Sequence, residues 1–272
     1  MRSIAGSDLG RRLKVAIPVF AAVVGIDIAG QWLLALVLVV FSWICMDEFS
    51  KMAGLARLSV VPTSYLVLAG IMAVAVSGTL SDVLLLLGLA VVLLFPATLL
   101  DRQDLGSGIG IRVMATALFG IFWIGVPFAC AVQLRGLPHG GALVLDVVVA
   151  VSVSDSAAYL VGRLLGRHKL APLISPNKTV EGWVIGLLAA VAALYVAHLL
   201  EGWLTLAQAL VFGFGVALVA SVGDLFESYV KRDVGTKDTS ELFGAHGGAL
   251  DRVDAMLFGA VTGYVLAQLF GL

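Results

Sequence analysis

Charge is scarce in this chain. Only 13% of its 272 residues are Asp, Glu, Lys or Arg, while 60% are hydrophobic. A chain of this length with so few polar groups cannot clothe a water-soluble domain, so that class is excluded. Cysteine is rarer still: Cys45 and Cys130 each lie inside an apolar run. That leaves no disulfide framework and no zinc cluster, and reads both as small buried hydrophobes. Internal repeats, low-complexity linkers and shifts of composition are missing too. The expected organisation is one transmembrane domain over 1–272, with N-terminal spans to about 134 and a motif-bearing half from about 141.

Apolar runs are what the chain has in abundance, with a mean hydropathy of +1.05. Runs of about 20 residues predict about nine membrane helices. They fall near 14–30, 31–47, 60–78, 80–100, 110–134, 141–161, 182–200, 203–222 and 250–271, which makes an all-α polytopic membrane protein. Asp27 interrupts the first two, and Gly25 and Gly30 offer a tight turn between them. Arg2, Arg11, Arg12 and Lys14 before the first run mimic a secretory signal, but the many later spans favour a retained helix. Gly106-Ser-Gly-Ile-Gly110 follows no strand and reads as the flexible start of a span, not a nucleotide loop. Gly259-Ala-Val-Thr-Gly263 reads as close helix packing, with a homodimer contact as the other use.

Charge placement tests the span count. Nine crossings put the N-terminus and the loops near 48–59, 101–109, 162–181 and 223–249 on one side. That side, helix ends included, receives 16 of the 17 Lys and Arg; Arg135 alone falls on the other. Positive residues stay inside, so the N-terminus is expected in the cytoplasm and the C-terminus outside, in the inner (cytoplasmic) membrane. Both long charged loops then face the compartment that holds nucleotides and Mg²⁺.

The first of these loops, Ser228–Asp254, packs Lys231, Arg232, Lys237 and Arg252 among five acidic residues, His246 and Gly247-Gly248. The combination suits a metal-assisted phosphate site: carboxylates for a divalent cation, bases for phosphate oxygens, glycines for close backbone approach. Asp155, Asp224 and Asp251 lie at similar depth near the same membrane face, on three different predicted helices. Carboxylates in such places usually face a cavity and have partners. Hard oxygen donors without a His/Cys cluster favour Mg²⁺ over zinc, with Asp224 and Asp251 as the ligands. Asp224 and Ser228 share a helix face by spacing, as do Asp251 and Asp254. For Glu227 and Asp254, an internal ion pair with Lys231 or Arg252 and a place in the metal site are given equal weight.

The second loop runs from Asp155 to Gly182. Arg167, His168 and Lys169 read as inner-face anchors. In Ser175-Pro-Asn-Lys-Thr-Val-Glu-Gly182, Pro176 stiffens a turn while Lys178 and Thr179 offer donors beside a helix start, placed to clamp a polyphosphate. His246 has three uses open to it: acid–base group, phosphate donor or backbone partner. His139 and His198 lie toward the outer side and are given no chemistry.

These residues resemble the phosphatidate cytidylyltransferase (CDP-diacylglycerol synthase) family. Its signature S-x-x-K-R-x4-K-D, H-G-G, D-R-x-D reads here as Ser228, Lys231-Arg232, Lys237-Asp238, His246-Gly247-Gly248 and Asp251-Arg252-Val253-Asp254. The upstream pattern reads as Asp155, Ala158-Tyr159, Gly162-Arg163 and Ser175–Gly182. Gly244-Ala245 stand where the family commonly has Pro-Gly, and Ala249 where a larger apolar residue is usual. The resemblance implies CTP and phosphatidate as partners in the bilayer, no nucleic acid, and a reaction giving CDP-diacylglycerol and pyrophosphate. It implies Mg²⁺ on Asp224 and Asp251 with Asp155 in support, and a second, monovalent cation such as K⁺. It also implies Lys231, Arg232, Lys237, Asp238 and His246 as the catalytic set, with Ser175, Lys178, Thr179, Ser228 and Arg252 binding substrate.

Two other classes compete. A CTP-dependent lipid kinase, or a cytidylyltransferase for another lipid phosphate, would use similar groups. A transporter would carry its acids near the midplane and charges on both faces, which this sequence does not.

Overall fold

The computed structural model describes Gly25 and residues 28–101, 108–240 and 247–272. Eight long helices follow one another: α1 (Gln31–Met52), α2 (Val60–Ser77), α3 (Leu80–Leu100), α4 (Gly110–Gly136), α5 (Gly140–Leu165), α6 (Val180–Glu201), α7 (Leu206–Asp233) and α8 (Leu250–Leu269). Between α5 and α6 sits a small antiparallel hairpin, β1 (Lys169–Ala171) and β2 (Ser175–Thr179). Among the described residues, seven helices, α1 to α7, are long and apolar enough to cross a membrane. The eighth has the length but opens on Asp251, Arg252 and Asp254. The chain is an all-α multi-pass membrane protein. Most of the expected span at 14–30, together with Gly106 and Ser107, lies outside the described residues.

Three helices open on side-chain caps. Thr79 with Asp82 and Thr205 with Gln208 form reciprocal capping boxes at α3 and α7. The Thr179 hydroxyl accepts from Gly182 N at 3.3 Å, opening α6. The largest departure from expectation is α7, expected to stop near 222. It has 28 residues, about 42 Å at 1.5 Å per residue against roughly 30 Å of hydrocarbon. About two turns therefore stand clear of the apolar layer, and these carry Glu227, Lys231 and Arg232. Hydropathy reports the solvent and not the backbone, so it ended the span where the surroundings changed.

Two apolar clusters meet at α8. Leu68, Ile71, Met72, Ile121 and Ile124 form the heart of one, and Leu143, Leu194, Phe212 and Val216 of the other. Leu257 of α8 belongs to the first and Ala255 to the second. Below the charged end, aromatic contacts run from Phe49 to Trp123 (6.0 Å), Phe226 (5.3 Å) and Phe258 (5.5 Å), joining α1, α4, α7 and α8. Cys45 and Cys130 are buried and free, as expected.

Glycines set the closest approaches. A Cβ on Gly182 would stand 2.5 Å from Ala158 O and 3.0 Å from the Gly162 Cα, so α5 and α6 touch backbone to backbone. Gly259 and Gly263 face Val151 and Val147 of α5, so the Gly259–Gly263 motif packs helices within one chain. At the opposite end from the charged loops, His139 stacks on Trp203 and His198 Nδ1 meets Leu204 O.

Candidate active site

Where α5, the hairpin, α7 and α8 meet at one end of the bundle, a cavity of about 800 Å³ opens. Asp155, Asp224 and Asp251 all line it, each from its own helix, as their common depth predicted. Asp254 lines it too, one turn beyond Asp251 on α8, but Ser228 does not join Asp224 there.

The hairpin supplies the first cation. β2 pairs with β1 through Thr179–Lys169 and Ala171–Ser175, and the chain then turns into α6 at Thr179. Glu181, in the first turn of α6, accepts from the backbone N–H groups of Arg167 and His168 and contacts His168 Nδ1 at 2.6 Å. This fastening holds Lys178 over the cavity, where its Nζ lies 2.7 Å from Asp224 Oδ2. β1 folding back along β2 also returns Lys169 to the cavity wall beside Arg163. Lys169 is therefore more than the inner-face anchor expected of it. Ser175, at the far end of β2, is not on the wall.

The α7–α8 junction supplies the second. Lys231 Nζ is 2.6 Å from both Glu227 Oε2, one turn earlier, and Asp251 Oδ1. The pairing of Glu227 with Lys231 realises one of the two uses weighed for it; among the described residues, Glu227 Oε1 is buried with no hydrogen-bond partner. The other Asp251 oxygen accepts from Thr239 N (3.0 Å), Thr239 Oγ1 (2.9 Å) and Gly248 N (2.7 Å). The glycine pair has a steric cause. Gly247 has φ +78° and its absent Cβ would meet Asp251; a Cβ on Gly248 would strike Thr239 and the Glu48 carboxylate.

Glu48 is the residue that sequence reasoning missed. It closes α1, is 3% exposed, and accepts from Ser240 Oγ (2.6 Å), Ala249 N (2.8 Å), Leu250 N (2.8 Å) and Thr239 Oγ1 (3.1 Å). Its one signal in the sequence is an acidic pair, Asp47-Glu48, at a helix end on the face where basic residues otherwise prevail. Trp183 and Ser221 also line the cavity unannounced. Arg252 lines it as expected, whereas Arg232, Lys237 and Asp238 lie exposed around the end of α7, off the wall. His246 falls outside the described residues.

Among the described residues, no three Asp, Glu, His or Cys side chains stand close enough together to cage a metal ion. Asp224 and Asp251 face one cavity, each with one oxygen on a lysine. Two carboxylates on an open cavity, with the unpartnered Glu227 oxygen beside them, suit Mg²⁺. That ion keeps waters and is usually held by one or two carboxylates together with substrate phosphates.

The family model described as "Cytidylyltransferase family" matches residues 10–270. Curated relatives include the phosphatidate cytidylyltransferase of Helicobacter pylori strain J99, 45% identical over 130 residues, 47% of each chain. That of Brucella suis biovar 1 is 41% identical over 156 residues, 56% of each chain. That of Staphylococcus saprophyticus is 37% identical over 149 residues, 53% of this chain and 55% of the relative. The chain spans about half the length of the curated relatives it matches. Matched along nearly its whole length, and with charges drawn from three helices and the hairpin to one cavity, this chain belongs to the cytidylyltransferase family.

Proposed function

We propose that this protein transfers the cytidylyl group of CTP to the phosphate of phosphatidate, giving CDP-diacylglycerol and pyrophosphate. One observation carries the reading: two lysine–carboxylate pairs, Lys178–Asp224 and Lys231–Asp251, line a single cavity at one end of the helix bundle. The cavity then lies at the cytoplasmic face of the cell membrane, with the C-terminus outside. There a lipid headgroup and a soluble nucleotide can meet while the acyl chains remain between helices.

A phosphate oxygen of phosphatidate attacks the α-phosphorus of CTP, and the bond to the pyrophosphate oxygen breaks in line. Such chemistry needs orientation and charge neutralisation more than a covalent nucleophile. Lys178 and Lys231 turn from their carboxylates to phosphate oxygens, and Arg163, Lys169 and Arg252 add positive charge on the wall. Arg232, Lys237, Asp238 and His246 act from the neighbouring loop, and Ser175, Thr179 and Ser228 set the backbone around the substrates. Asp224 and Asp251, with Asp155 in support, would hold Mg²⁺, which would neutralise charge on the triphosphate, with a monovalent cation such as K⁺ nearby.

The position of attack tests the proposal. With purified protein, phosphatidate and Mg²⁺, label at the α-phosphate of CTP is expected in the lipid fraction and γ-label in pyrophosphate. Lipid carrying the γ-label, with free CDP in the water phase, would instead make the protein a CTP-dependent lipid kinase.

A further inference from the structure

Glu48 comes from α1, a helix that contributes nothing to the cavity wall, yet its carboxylate is fully engaged by the segment that carries Asp251. Oε1 accepts from Ser240 Oγ and Ala249 N; Oε2 accepts from Leu250 N and lies 3.1 Å from Thr239 Oγ1. Two of these donors are amides at the start of α8, groups that have no acceptor within the helix. A carboxylate there also meets the positive end of the helix dipole. The other two are the hydroxyls of the strap leading away from α7.

Thr239 joins this cluster to the cavity. Its single hydroxyl proton stands between Glu48 Oε2 and Asp251 Oδ2, at 3.1 and 2.9 Å, and can serve only one of them at a time. The Thr239 amide meanwhile donates to Asp251 alone. Anything that moves the 239–240 strap or the first turn of α8 therefore moves the Asp251 carboxylate.

We propose that Glu48 is a positioning residue, holding Asp251 at the cavity by clamping Thr239, Ser240 and the first amides of α8 from the opposite side. This rests on the proposed function, in which Asp251 is a cation ligand. The N-terminal helices thereby serve the reaction through one carboxylate that touches no substrate.

The test uses the full chain in detergent, with Mn²⁺ as the probe, its affinity read by electron paramagnetic resonance, and turnover measured separately. In Glu48→Gln an NH₂ group confronts two of the four donors. Its Mn²⁺ affinity should fall at least tenfold, and kcat should fall while KM for phosphatidate stays within twofold. Ser240→Ala loosens the clamp by removing the hydroxyl that donates to Glu48 Oε1, and should weaken Mn²⁺ at least threefold with thermal stability retained. Unchanged Mn²⁺ affinity in Glu48→Gln, or in Ser240→Ala should Glu48→Gln not fold, overturns the proposal. So does a wild-type chain that binds no Mn²⁺, since Asp251 then has no cation to be held for. A wild-type chain that binds Mn²⁺ but makes no CDP-diacylglycerol refutes the functional reading alone.

Discussion

Lys231 Nζ lies 2.6 Å from Asp251 Oδ1, tying the last turns of α7 to the first turn of α8 across a loop of the chain. The same ammonium holds Glu227 at 2.6 Å, so one cation serves two carboxylates whose side chains are 1% and 9% exposed. Removing it strands two buried like charges beside each other.

Lys231→Met should therefore cost both stability and turnover. Breaking a buried pair by removing one partner costs about 3–5 kcal/mol, read as a lower thermal unfolding midpoint in detergent. Adding Glu227→Gln should restore much of the midpoint and none of the turnover. Recovery of activity in the double variant would show that Lys231 only balances charge.

Asp224→Asn should behave differently. Its pair with Lys178 is open to solvent, with side chains 31% and 25% exposed, so stability should change by no more than about 1 kcal/mol. Turnover should fall by about 10²–10³, the scale of one main electrostatic stabiliser. Asp251→Asn should lose turnover to a similar degree and stability as well, because its amide NH₂ must confront either the Lys231 ammonium or the donors of Thr239 and Gly248. Near-wild-type turnover of Asp224→Asn at limiting Mg²⁺ would remove Asp224 from the cation site.

Gly182→Ala should act at a distance. The added Cβ meets Ala158 O and the Gly162 Cα, backbone atoms that cannot swing away. Overpacking of this kind costs about 1–3 kcal/mol. Because β2 runs directly into α6, the hairpin moves with the helix, and KM for CTP should rise through Lys178. A variant with a lowered unfolding midpoint and an unchanged KM would uncouple the hairpin from the helix contact.

Topology can be read with single cysteines in a Cys45→Ala, Cys130→Ala background. Leu173, at the hairpin tip, is 94% exposed, and Leu200, at the other end of α6, is 81% exposed. A membrane-impermeant maleimide should reach Leu173→Cys only when the inner face is open, and should reach Leu200→Cys from outside intact cells. The reverse pattern would invert the protein and remove its site from CTP.

Asp155, Asp224 and Asp251 were legible as a group because membrane depth and charge sidedness are one-dimensional properties that a sequence records. Lys178 was legible because it sits beside a helix start. Glu48 was not, since its partners lie about 200 positions away and an acidic pair at a helix end does not reveal a carboxylate that accepts only amides and hydroxyls. The hairpin also escaped notice: β1 has three residues and β2 holds Pro176, so neither shows the alternation that marks a strand. The extension of α7 was hidden for the opposite reason, its polar turns reading as a loop.

The Glu48 clamp has a consequence for how the molecule is made. Leu250 is 202 positions later in the chain than Glu48. At roughly 5–20 residues per second, a ribosome needs about 10–40 s to travel between them. Throughout that interval the carboxylate waits at the end of an inserted helix without the donors it will finally bind. The first six of the remaining helices can enter the bilayer in order, but the active site comes into being only when the last one arrives.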